Sequence, residues 1–170
     1  MSRIAKVLQI IDAVSERTGK TFSFLVIAIL FLEVREVIAR YVFSEPSVWS
    51  WELSTLFYGI FFIMGGAWVL KDGRHVRTDV FFAKFPARVR ALIDLVLFMC
   101  LFFLFVAVMV WYGAQAAIHS VEIRETTYTV WAPPLYPTKI ALLLGFLLLG
   151  IQGLAKWIRD LIFVAKGIEI

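Results

Sequence analysis

The sequence predicts an all-α integral membrane protein. It is expected to have four transmembrane helices, an N-terminal amphipathic helix, a short interfacial helix in an inner loop, and both termini in the cytoplasm. Three observations lead there. Apolar residues make up 61% of the chain and charged ones 18%, against roughly 45–50% apolar in soluble globular proteins. Mean hydropathy is +0.85. Four apolar stretches divide the sequence, and lysines and arginines crowd into alternate gaps between them. Arg3, Lys6, Arg17 and Lys20 occupy the head, Lys71, Arg74, Arg77, Lys84, Arg88 and Arg90 the middle gap, and Lys156, Arg159 and Lys166 the tail. Cytoplasmic loops carry such an excess, and it sets orientation. Residues 1–170 form one membrane domain, without internal repeat or low-complexity tract.

Residues 1–20 come first. Ile4, Val7, Leu8, Ile11 and Val14 recur at helical spacing, with Lys6, Gln9, Asp12, Ser15 and Glu16 on the other face. Such a helix lies in the cytoplasmic membrane interface or packs on a partner protein. Charges throughout this stretch leave no apolar core for a cleavable signal peptide, so insertion is expected to use the first crossing.

The first crossing spans 21–43. Only Phe22–Leu32 is free of charge, too short for a hydrocarbon core of about 30 Å. Extending it takes in Glu33, Arg35, Glu36 and Arg40. At about 100° per residue, Glu33, Glu36 and Arg40 share a face and Arg35 points nearly opposite. Glu36 and Arg40 have the spacing at which helical side chains meet. The outer half is therefore expected to be buried in protein, with Glu33 and Glu36 paired to Arg40 or to a partner. The competing reading makes Glu33 a proton-coupling carboxylate, as in small four-helix antiporters.

The second crossing, 53–70, is uncharged, with Trp68 near its inner end. Serines 44, 47 and 50 before it read as a turn. Trp49 and Trp51 are interfacial anchors, and Arg40 and Glu52 are expected to pair across the hairpin, where water is scarce. The third crossing spans 92–118, uncharged from Leu95 onward, with Trp111 and Tyr112 in an aromatic belt. The fourth spans 135–158. Pro137 sits in its first turn, Lys139 snorkels outward, and Ala141, Gly145, Gly150 and Gly153 allow close helix approach.

Between crossings two and three, Gly73 to Asp79 reads as a turn with a helix cap. Val80–Phe85 then forms the interfacial helix, ended by Pro86, with Lys84 toward water. Between crossings three and four, His119–Pro134 is an outer loop made acidic by Glu122 and Glu125 and stiffened by Trp131-Ala-Pro-Pro134.

The residues offer little chemistry. His75 and His119 fall on opposite faces, which argues against a shared haem and against a redox-complex anchor. Cys100 is the only cysteine, so no disulfide forms within the chain. No cofactor, metal or catalytic residue is expected. The net charge of +4 sits beside apolar segments, where membrane lipids rather than nucleic acid are the partner.

Arg40-Tyr-Val-Phe43, Trp49, Glu52, Gly65-Gly66, Gly73-Arg-His75 with Asp79, Pro86 and Arg88–Arg90 together resemble the small, Q-type membrane subunit of tripartite ATP-independent periplasmic (TRAP) transporters. The Trp131-Ala-Pro-Pro-Leu-Tyr-Pro137 element is similar to one branch of that family. The resemblance implies a multi-pass protein of the bacterial inner membrane. It implies a sodium-coupled importer of organic anions, commonly carboxylates. A periplasmic solute-binding protein would capture the solute, and a large membrane subunit would carry the substrate and sodium sites. This chain would be a fixed scaffold, touching the binding protein with its outer loops. Arg40, Trp49, Glu52, Gly73, His75 and Asp79 would serve structure or subunit contact; Glu33 and Glu36, given the same role from their own pairing pattern, are more charge than the first helix of this family is expected to carry.

Overall fold

The computed structural model describes residues 3–73, 86, 89, 96 and 98–166. Five helices account for nearly all of them: α1 Arg3–Ser23, α2 Leu25–Tyr41, α3 Val48–Lys71, α4 Phe103–Glu122 and α5 Tyr136–Lys166. A π-helical turn, Phe98–Phe102, leads into α4. No strand occurs among the described residues; one bridge joins Thr126 and Pro134. The interfacial helix expected at Val80–Phe85, with Lys84, lies outside the described residues, as does most of 92–97.

Among the described residues, three helices are long and apolar enough to cross a membrane: Val48–Lys71, Met99–Glu122 and Tyr136–Ala165. Helix α2 has 17 residues, so it is about 25 Å long, and it contains four charges. Helix α5 has 31 residues, giving about 46 Å, well beyond an apolar core of about 30 Å. It continues to Lys166 rather than ending near residue 158, because Lys156, Arg159 and Asp160 find partners on one face instead of breaking the helix.

The helices form an open row. Helix α3 packs on α5, α2 on the far side of α3, and α4 on the far side of α5, while α1 lies across α3 and α5. The core is correspondingly thin. Its buried apolar residues are Ile63, Met64, Ala67 and Leu70 of α3, Val106 and Ala117 of α4, and Leu149 and Ala155 of α5, the helix between them. Only 11% of the most apolar stretch of α4 is buried, against 28% for α3 and α5, which marks α4 as an edge. Gly145 brings α5 against α3: a Cβ there would stand 2.6 Å from Ile63 Cγ1 and 3.2 Å from its carbonyl carbon. Gly150 and Gly153 likewise face Val106 and Phe102. The three glycines expected to allow close approach do so.

The first boundary falls at Phe24, slightly later than the sequence suggests. The Ser23 hydroxyl donates to the Lys20 carbonyl at 2.7 Å, and back-bonding of this kind bends helices. Helix α3 begins at Val48, five residues before the expected Leu53. Ser47 is its N-cap residue and Ser50 lies within it, buried, donating to the Leu32 carbonyl at 3.2 Å. Ser47 and Ser50, which read as a turn, are in fact the polar side of a helix contact, while Ser44 does lie in the turn, at φ 56.

Candidate subunit interface

Helix α1 faces the opposite way from a simple amphipathic reading. Its buried residues are Leu8, Ser15 and Gly19, while Ile4, Val7, Ile10 and Val14 are exposed. The polar edge turns inward because it meets polar groups. Arg159 grips the Asp12 carboxylate with two bonds, of 3.2 and 2.6 Å. The Gln152 amide donates to Asp12 at 2.9 Å and accepts from the Ser15 hydroxyl at 2.8 Å. Gln152 and Ser15 are almost wholly buried, so this mutual satisfaction is what makes their burial tolerable. Glu16 bonds both Lys20 and Lys71, and Gly19 lies against Trp68. The helix is thus docked within its own chain, with its apolar side left outward.

Lys20, then Lys71, hold the Glu16 carboxyl down from its usual 4.5 to about 2. A lowered folded-state pKa means that the contact's contribution is fully present above about pH 4.5 and disappears as pH falls toward 2. In a carboxyl-resolved NMR titration, Glu16 is expected to titrate near 2, and Lys20→Ala to move that midpoint upward.

The Lys71 end of α3 is closed by Gly73 at φ +66, a left-handed conformation that glycine adopts without steric cost. The Asp72 and Gly73 amides donate to Trp68 and Leu70 carbonyls at 3.0 and 3.1 Å. His75 and Asp79 lie outside the described residues.

At the Trp49 end, Glu36 is the organising group. It is buried; Arg40 donates to it at 3.0 Å, and the Ser47 amide approaches it at 3.3 Å with the Ser47 hydroxyl also bonded. This ties α2 to the start of α3. Arg35 does not stand apart on the opposite face. It donates to Ser47 at 2.8 Å and lies 4.8 Å from the centroid of the Trp49 ring, a cation–π distance. Trp49 in turn lies 6.3 Å from Trp131.

The expected Arg40–Glu52 pair does not form. Arg40 is engaged one turn back by Glu36, whereas Glu52 accepts from Thr127 at 3.2 Å and Thr129 at 2.8 Å. Nothing in the sequence between crossings revealed that the α4–α5 loop would fold back over α3. It closes as a small hairpin, with Thr127 donating to Pro133 and Leu135 to Glu125, and Ala132 in a left-handed conformation. Lys139 pairs with Glu125 rather than merely reaching for water, and it lowers the Glu125 carboxyl pKa. Arg40→Ala and Glu52→Ala are expected to be additive in thermal stability within about 0.5 kcal/mol, while Arg40 and Glu36 substitutions are not.

Glu33 is exposed, and it has no hydrogen bond or ion pair among the described residues. The sequence placed it beside Glu36 and Arg40; the structure gives Arg40 to Glu36 alone. Among the described residues no group of three His, Cys, Asp or Glu side chains converges as a metal set.

Long apolar helices, thin burial and charges gathered at two ends define an α-helical membrane protein. Residues 25–163 match the family described as tripartite ATP-independent periplasmic transporters, DctQ component, and the chain belongs to that family. It is therefore a small TRAP transporter subunit, a transporter component working with a large component and a binding protein. The match begins where α2 begins, so α1 precedes the matched segment. No curated protein matches the sequence.

Proposed function

We propose that this chain is the static scaffold of a sodium-coupled importer of organic anions, carboxylates foremost, in the bacterial inner membrane. It crosses four times, with α2 as the first crossing and both termini inside. The large subunit binds solute and sodium and moves; this subunit resists being dragged. The single observation carrying the reading is the open row of helices. Transporters place substrate between broken helices around a polar midplane site. Here α3, α4 and α5 are joined side by side largely through small and apolar residues, α2 is tied to α3 by Glu36 and the serines, and wide apolar faces stay uncovered. The exposed apolar side of α1, flanked by Arg3, Lys6 and Arg17, suits the inner membrane interface and supplies grip. Trp49, Trp131 and the threonine-bound Glu52 sit at the opposite end, where the binding protein docks. Gly73 closes the opposite, inner end of α3.

Co-expression with the large subunit tests this. The two are expected to co-purify, and liposomes holding this chain alone are expected to show no uptake. Transport by the isolated chain, lost in Glu33→Gln, would establish the small-antiporter alternative instead. A haem spectrum would establish the redox anchor.

A further inference from the structure

We infer that Glu33 marks the docking line for one basic side chain on a transmembrane helix of the large subunit. The inference rests on the scaffold reading above. Glu33 stands eight residues from each end of α2, about 12 Å from either, which is the middle of a crossing. Its surroundings are apolar and open: Leu30, Phe31, Val34, Val37 and Tyr41 are all exposed. An acid at this depth is tolerated when it faces protein or water rather than lipid. Four other helix acids have partners in the chain: Asp12 with Arg159, Glu16 with Lys71, Glu36 with Arg40 and Asp160 with Lys156, while exposed Glu122 sits at the very end of α4 rather than mid-helix. Glu33 has none among the described residues.

Beside it lies a groove of about 270 Å³ lined by Glu33, Glu36, Val37, Arg40, Tyr41 and Trp51. Arg40 and Glu36 are already paired there, so the unbalanced charge is the single carboxylate. Apolar walls suit the alkyl stem of a lysine or arginine whose head meets Glu33. Charge decides the occupant. A second copy using this face about a two-fold axis would set Glu33 against Glu33, and a lipid headgroup lies too far toward the surface. A cationic side chain carried by the partner helix satisfies both depth and sign.

The test is made on the co-expressed complex. A photo-cross-linker at Val37, with Glu33 intact, is expected to give an adduct with the large subunit. Glu33→Gln should lower recovered complex two- to fivefold and Glu33→Lys at least tenfold, both at unchanged abundance of this chain in the membrane. Exchanging the cross-linked basic residue for glutamate should rescue Glu33→Lys. An adduct only with a second copy, no protein adduct, or undiminished complex with both variants would overturn the inference while wild-type co-purification kept the scaffold reading intact. Full assembly with transport abolished in Glu33→Gln would also overturn it, since the acid would then be titrating. Failure of the wild-type pair to co-purify would remove the scaffold reading and this inference together.

Discussion

Replacing Asp12 with alanine is expected to release α1 from the rest of the protein. The substitution strands the Arg159 guanidinium and removes the acceptor of the buried Gln152 amide at once. Breaking a fully buried pair costs about 3–5 kcal/mol, but Asp12 and Arg159 keep about a quarter of their side-chain surface exposed. Solvent screening lowers the expectation to about 2 kcal/mol. Hydrogen exchange should quicken along α1 while α3 and α5 keep their protection. Arg159→Ala should act alike, and the pair of changes together should cost less than their sum. Additive losses, or unchanged exchange in α1, would show that the helix is held by something else. The effect matters because α1 is the element that couples the row to the membrane interface in the scaffold reading.

Gly145→Leu is expected to be more damaging to the row itself. Even a methyl group at this position would lie 2.6 Å from Ile63 Cγ1, and backbone lies just behind. Ile63 is buried, and its β-branched side chain has few rotamers with which to yield. Overpacking of this kind costs about 3 kcal/mol, and α3 must separate from α5 to admit the larger group. Loss of monodisperse protein in detergent is the expected readout. Ile63→Ala in the same chain should recover part of it by reopening space. If Gly145→Leu behaves as wild type, α3 and α5 do not meet at this point.

Much of this architecture was legible in the sequence because it follows from local quantities. Apolar run length found three membrane-length helices, and helical spacing paired Glu36 with Arg40. Small residues at Gly145, Gly150 and Gly153 marked where helices touch. Position-by-position patterns failed where the partner lay far along the chain. Serines 47 and 50 read as a turn because their acceptors, Glu36 and the Leu32 carbonyl, belong to the preceding helix. Gln152 was the available signal for the α1 contact, a lone amide in an apolar stretch, yet its partners Asp12 and Ser15 looked like a solvent face.

What the sequence alone determined is the membrane character and most of the helices, since transfer of apolar side chains from water depends on composition and run length and little on neighbours. Only the tertiary structure decided which charge meets which. It turned the polar edge of α1 inward, gave Arg40 to Glu36, and closed the outer loop over Glu52. Ion pairs and hydrogen bonds depend on distances of a few ångströms between segments as much as 147 residues apart, and no local pattern of residues encodes such a distance.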